Sequence, residues 1–206
     1  AGGTREPIDP VRFIGNRSSG KQGHAIADEA AARGAKVTLV TTVDRPTAPG
    51  VEIVRVATAA EMDVAVRERS DAADVVVMTA AVADFRPDAT ADSKVKKEGG
   101  PPTLTLVPTA DILAGLLERR QPGQTLVGFA AETDDVEANA AAKLARKPVD
   151  LLVVNDVSKP GAGFESDTNE VRIMSPAGST VAVDQRDKRA VARAVLDAVV
   201  ADRATP

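Results

Sequence analysis

The runs at 75–78 (VVVM) and 151–154 (LLVV) are apolar at every position. Successive side chains of a strand point to opposite faces, so a strand without a polar position has to be covered on both. A parallel sheet between two helical layers meets that demand, and the surrounding text supplies the layers. Apolar periodicity predicts a helix over 21–33, strands over 36–41 and 51–56, a helix over 58–69 and a strand over 74–79. The alternation continues with a short strand over 103–107, a helix over 110–120, a strand over 125–130, a helix over 134–146 and a strand over 150–154. Thr58-x-x-Glu61 and Asp134-x-x-Glu137 mark two helix starts, a side-chain acceptor followed by Glu being able to satisfy free backbone amides. The end of the chain departs from this rhythm. Residues 170–184 read as a hairpin around Pro176 to Ser179, and a helix over 185–201 follows. The expected fold is α/β, a three-layer α/β/α arrangement with a mainly parallel sheet plus a C-terminal β-hairpin and helix, in one domain spanning 1–206.

Aromatic residues make up 2% of the chain, so the core has to be built from Ala, Val, Leu and Ile, which suits parallel strands under small-faced helices. There is no Cys, which excludes disulfides and zinc–thiolate sites and leads to an expectation of a cytoplasmic protein. The longest apolar runs are too short to span a bilayer, so no membrane partner is expected. A net charge of −4 and the scarcity of bases-stacking rings argue against nucleic acid as a partner. A single nucleotide stays open. The opening "AGGTREP" lacks the strand that should feed its glycine turn, so the chain is expected to be a piece of a larger polypeptide or to begin inside that strand.

Residues 14–23, IGNRSSGKQG, come within one residue of a nucleotide-triphosphatase P-loop, but Gln22 stands where a Ser or Thr hydroxyl would hold Mg²⁺. The P-loop reading fails on that residue. A glycine turn at Gly3 or at Ser18 to Gly23 can still let phosphate approach the amides of a helix start, or can simply make a tight turn. Asn16 and Arg17 read either as polar groups for a carboxyl or phosphoryl oxygen or as a turn or helix cap. Lys94, Lys96 and Lys97 form a charge run that is solvated by default. Their place after the C-terminal end of a buried strand, through "AAVADFRP", makes a loop closing over phosphates the alternative. His24, the one histidine, reads as a packed helix residue, and no Ser-His-Asp set or metal-ligand spacing surrounds it. Glu132 and Asp156, at later strand ends, are candidate site residues or caps. The alternation alone would also fit a dinucleotide-dependent oxidoreductase or a non-catalytic interaction module. Against the oxidoreductase, no clean G-x-G-x-x-G follows a strand and "KVTLVTT" lacks an acidic end.

Taken in order, "AGGTREPIDPVRFIGNRSSGKQG", "TAAVADFRP", "KVKK", "VGFAAET" and "VVNDV" resemble the phosphopantothenate–cysteine ligase family, the synthetase half of a bifunctional bacterial coenzyme A biosynthesis protein. The resemblance implies a Rossmann-like fold, a homodimer, and a preceding flavin-dependent decarboxylase domain that would carry FMN. It implies CTP, 4′-phosphopantothenate and L-cysteine as substrates, with Mg²⁺ on the triphosphate and its protein ligands unknown. It further implies catalytic roles for Asn16 and for Lys94, the latter on a lid. Substrate contacts fall to Arg12, Asn16 and Ala81, and nucleotide contacts to Gly3, Ala81, Asp84, Lys94, Ala110, Asp111, Ile112, Leu113, Phe129, Lys143 and Lys147. One departure stands out: the family's Asn-Pro-Asp-Ile reads Thr109-Ala110-Asp111-Ile112 here, which replaces a stiff turn with a looser one. The C-terminal hairpin, read as an appendage with an unpaired edge, is the expected dimer contact.

Overall fold

The computed structural model describes residues 1–97, 100, 103–132, 135–156 and 166–204. The chain runs β1 (Arg5–Pro7), β2 (Phe13–Gly15), α1 (Lys21–Ala32), β3 (Thr38–Thr41), β4 (Glu52–Arg55), α2 (Ala59–Ser70), β5 (Val75–Met78), β6 (Phe85–Pro87) and β7 (Leu106–Pro108). It continues with α3 (Ile112–Glu118), β8 (Thr125–Glu132), α4 (Val136–Arg146), β9 (Leu151–Asp156), β10 (Thr168–Met174), β11 (Thr180–Asp187) and α5 (Lys188–Arg203).

The central sheet has the order β11-β10-β9-β8-β5, with β5, β8 and β9 parallel and β10 and β11 antiparallel. The expected hairpin is therefore no appendage: Arg172 to Met174 pair with Leu152 to Val154, and β10 extends the sheet. Parallel β3 and β4 join on the far side through residues 1–4. The Ala1 amino group donates to the Val40 carbonyl at 2.6 Å, and the Ala81 amide donates to the Gly2 carbonyl at 2.9 Å, with Gly3 bridging Ala81 in parallel.

The uninterrupted apolar runs are divided between two cores, as their lack of polar positions required. Leu151 and Val153 face a cluster with Ile26 of α1 and Val191 and Val195 of α5. Leu152 and Val154 face the opposite cluster, with Met62 of α2, Leu116 of α3 and Leu144 of α4. Three layers follow from that partition. The Thr58 box forms as read, the Glu61 amide donating to Thr58 Oγ1 and the Thr58 amide to Glu61 Oε2, each at 3.2 Å. Asp134 lies outside the described residues; α4 starts after Asp135, whose left-handed backbone (φ 38°) leaves its side chain without a capping bond.

Two short antiparallel ribbons stand outside the central sheet. β1 pairs with β2, and β6 with β7, both antiparallel. β7 overlaps the strand expected over 103–107; β1, β2 and β6 are three residues long and carry too little periodicity to be legible. Their partners hold them: Thr4 Oγ1 accepts from the Ala83 amide at 2.9 Å, and buried Glu6 accepts from the Ala59 amide at the start of α2, also at 2.9 Å.

Candidate active site

A cleft of about 540 Å³ opens at the C-terminal ends of β5 and β8, where open α/β sheets take ligands. Its walls are the segments after β5, the starts of α1, α3 and α5, and one face of α4. Of the residues singled out from sequence, Asn16, Ala81, Asp84, Ala110, Asp111, Ile112, Leu113, Phe129, Lys143 and Lys147 all line this one cleft, although they come from segments up to 131 positions apart (16 to 147).

Asn16 is not a helix cap. Gly20, in a left-handed conformation (φ 69°), precedes α1 without any side-chain cap, and Asn16 Nδ2 instead donates to the Val82 carbonyl at 3.0 Å. This bond fixes the amide against the strand end. Gly3 is buried below the cleft and does not line it; a Cβ there would fall on the Asn16 carbonyl, so the glycine serves by letting the Asn16 backbone approach.

The Thr109–Ile112 segment is not loose. The Thr109 hydroxyl donates to the Ala83 carbonyl at 2.5 Å and its amide to the Asp84 carbonyl at 3.0 Å, which replaces a proline's stiffness with two bonds to the opposite wall. Asp111 caps α3, accepting from the Ala114 amide at 3.0 Å, and pairs with Lys147 at 2.5 Å. Burial opposes ionisation of Asp111, but the Lys147 ammonium and the Ala114 amide outweigh it and hold the carboxyl below the usual range. Burial also lowers the Lys143 pKa, partly offset by Glu132. The side chain of Asp156 lies outside the described residues.

Arg12 and Lys94 do not line the cleft. Asp9, fully buried at its side chain, takes hold of both their segments. It accepts from the Val11 and Arg12 amides at 2.9 and 2.8 Å, from the Arg12 guanidinium, and from the Val95 amide at 3.2 Å. Arg12 returns a bond to the Val95 carbonyl at 2.9 Å. The Arg12 guanidinium is the main reason the Asp9 carboxyl lies far below the usual carboxylate range. The lysine loop is thus strapped by the Val95 backbone to the 7–12 turn, with Ala91 and Thr90 bonding the Ile8 and Pro7 carbonyls. Lys94 itself is exposed.

Lys188 and Asn169 line the cleft and were not picked out by sequence reasoning. A signal existed. α1 and α5 both begin with lysine and carry no acid in their first turn, against the preference of a helix dipole, and both lysines face the same cleft.

Among the described residues no group of three His, Cys, Asp or Glu side chains is placed to hold a metal, and no helix is long and apolar enough to cross a membrane. His24 is buried in α1 with Nε2 3.2 Å from Thr41 Oγ1, a packed and hydrogen-bonded residue as read.

Residues 1–202 match the family described as DNA/pantothenate metabolism flavoprotein C-terminal domain. The chain is 49% identical over 212 residues to the coenzyme A biosynthesis bifunctional protein CoaBC of Mycobacterium tuberculosis, covering 97% of this chain and 50% of that protein. It is 50% identical over 181 residues to the Bacillus subtilis protein of the same name, covering 86% of this chain and 44% of that protein. The crystal structure of a CoaBC C-terminal domain superposes with a TM-score of 0.80 at 39% identity, covering 97% of this chain and 90% of that one. The chain spans about half the length of the curated relatives it matches. By fold, cleft and sequence, it belongs to the DNA/pantothenate metabolism flavoprotein C-terminal domain family.

Proposed function

We propose that this chain is a ligase that joins 4′-phosphopantothenate to L-cysteine at the expense of CTP. The carboxylate attacks the α-phosphorus of CTP, forming an acyl-cytidylate and releasing pyrophosphate. The cysteine amine then attacks the acyl carbon, the C–O bond to phosphate breaks, and CMP leaves with the electron pair while the amine loses a proton. The observation that carries this reading is the single cleft in which Asn16, the 81–84 strand end, the 110–113 helix start and Lys143 and Lys147 meet.

Such chemistry asks little covalent work of the protein. It asks for two anionic substrates to be held in line and their charge to be neutralised. Asn16, fixed on the Val82 carbonyl, is suited to hold the activated acyl group, and Asp84, Asp111 and Phe129 to hold the nucleoside. Asp84 and Asp111 offer oxygens of the kind Mg²⁺ accepts, which fits a magnesium ion held mainly by the triphosphate. Lys94 is assigned to the phosphates when the 90–97 segment closes, and Arg12 to substrate.

The same reading places the protein in the cytoplasm, as the C-terminal part of a longer chain whose decarboxylase domain carries FMN, and as a homodimer. The hairpin edge is a poor contact, because β11 ends in Asp184, Gln185, Arg186 and Asp187, side chains of the kind that guard an open edge. Exposed Val11, Phe13, Phe85 and Leu106, on the neighbouring β1–β2 and β6–β7 ribbons, form the better surface.

The test is to supply CTP, phosphopantothenate and cysteine and follow pyrophosphate and the ligated product. Pyrophosphate that requires phosphopantothenate, and product that also requires cysteine, is the expected result. No pyrophosphate under any combination would refute the reading. Asn16→Asp, which sets a negative charge beside an anionic intermediate, should stop product formation and slow pyrophosphate release less.

A further inference from the structure

Two ribbons stand in front of the sheet, and each keeps one foot in the cleft. β2 of the first ends next to Asn16, whose amide bonds the Val82 carbonyl in the cleft wall. In the second, Asp84 precedes β6 and Thr109 follows β7; both line the cleft, and the Thr109 amide donates to the Asp84 carbonyl at 3.0 Å. β1 lies beside β6. Outside the cleft, the turn of the first ribbon meets the segment that leaves the second, with Asp9 between them.

That meeting is more specific than the turn itself requires. The buried Asp9 carboxylate takes the Val11 and Arg12 amides on Oδ1, and the Arg12 guanidinium and the Val95 amide on Oδ2. The amides and arginine of residues 11 and 12 already close the turn, so the Val95 amide, 86 positions away, serves another purpose. Arg12 then donates to the Val95 carbonyl at 2.9 Å, and one residue's amide and carbonyl are gripped by the two members of one ion pair. The grip is on the main chain, so it sets where the neighbouring Lys94 and Lys96 leave the backbone. Two more bonds run alongside, from the Ala91 amide to the Ile8 carbonyl at 2.9 Å and from the Thr90 hydroxyl to the Pro7 carbonyl at 3.1 Å. Each such bond is worth little alone, but bonds sharing one seam favour opening together.

We infer that Asp9 is a positioning residue that makes the 7–12 turn and the 88–95 segment one body, so that a ligand engaging the foot of one ribbon tightens the other. Coupling of this kind needs two states, strapped and released, and ligands that favour the first. The identity of those ligands, phosphopantothenate at Asn16 and nucleotide at Asp84 and the 110–113 helix start, rests on the ligase reading; the strap does not.

Hydrogen exchange followed by NMR tests the strap directly, because the amides of Val11, Arg12, Ala91 and Val95 make its bonds. In the free protein the four should share one protection factor to within about twofold, the mark of opening as a unit. 4′-Phosphopantothenate alone should raise protection at Ala91 and Val95 by about fivefold or more, the low end of coupling between sites. α,β-Methylene-CTP, which cannot release pyrophosphate, should do the same at Val11 and Arg12. Asp9→Asn should lower protection at Ala91 as well as Val95 by about tenfold, the scale of one charge-assisted bond, and confine each ligand's effect to its own ribbon. Thr90→Val, at an exposed position outside the cleft, removes one bond of the seam and should act the same way more weakly. An aspartate that only closed its own turn would leave Ala91 unmoved in Asp9→Asn. That result, or unequal protection of the four amides in wild type, would overturn the inference, as would two ligands that bind without affecting each other's ribbon. A chain that binds neither ligand, yet opens as a unit and loses Ala91 protection in Asp9→Asn, would keep the strap and lose the ligase reading.

Discussion

Leu152 of β9 and Asp9 of the turn after β1 are buried almost equally, at 1% and 3% exposure, and they are held by opposite means. Leu152 lies in an apolar cluster to which three helices contribute, and the Gly128 position leaves room for its Cδ1. Asp9 has a donor at every side: two amides of its own turn, the Arg12 guanidinium and an amide of the lysine loop. Burial of the first kind has no preferred direction and scales with volume. Burial of the second kind depends on each donor finding its acceptor, and fails all at once when one charge is removed. The sheet therefore supplies stability, and the wall in front of it supplies the placement of polar groups.

Breaking the first side of this comparison should give the larger effect on folding. Leu152→Ala empties part of a packed layer, and the expected loss is about 3 kcal/mol by urea unfolding, with the turnover of folded protein little changed. An undiminished midpoint would mean that the layer is loosely packed. Breaking the second side should act on turnover. Lys94→Gln is expected to lower it by at least about a hundredfold with the fold intact, the scale of losing one preorganised charged donor, whereas Lys97→Gln should cost far less. Comparable losses in both would make the loop a diffuse electrostatic funnel. Asp9→Asn keeps the shape but turns an amide toward the Val95 and Arg12 donors, and should lower turnover by about tenfold and lower the thermal midpoint as well, because it leaves the Arg12 guanidinium without its counter-charge. If Asp9 acts by placing the lysine loop, the two losses should not add in the double variant, and additive losses would remove Asp9 from that role.

What was legible in the sequence divides along the same line. The uninterrupted runs at 75–78 and 151–154 demanded cover on both faces, and the structure divides their side chains between two cores. The helices were readable because one amphipathic face repeats over several turns. The strands β1, β2 and β6 were not, since three residues carry no period and their strength lies in bonds to residues far away in sequence, such as Glu6 to Ala59, whereas β7 overlaps the strand read over 103–107. The resemblance brought ten site residues to one cleft, but it could not say that Arg12 and Lys94 would be strapped outside it by Asp9, because a carboxylate shared between two loops leaves no local pattern. The Thr109 bonds to residues 83 and 84 escaped for the same reason: losing a proline is visible in sequence, and what compensates for it is not. Lys188 escaped because a lysine beginning a helix looks like an ordinary surface charge until the cleft beside it is known.

The smallest effect concerns His24, which sits where the sheet meets the wall. Its ring is 3% exposed, and Nε2 lies 3.2 Å from Thr41 Oγ1, a hydroxyl that also accepts from the Val43 amide at 3.3 Å. Burial is the main influence on its pKa and lowers it; Arg45 pushes the same way, while a backbone contact at Pro46 and the charge of Asp28 oppose. The folded state therefore takes up a proton at lower pH than the unfolded chain, whose histidine titrates near about 6.5. As pH falls through that value the unfolded state binds more protons, so stability contributed by neutral His24 is complete above the unfolded pKa and is lost on the way down to the folded one. The urea midpoint should thus decline between pH 7.5 and pH 5, a window in which the Ala1 amino group, pushed down to about 5 by burial, acts with the same sign, and His24→Gln should lessen the slope. A decline of the same slope in the variant would place the proton uptake on another group and leave His24 as packing alone.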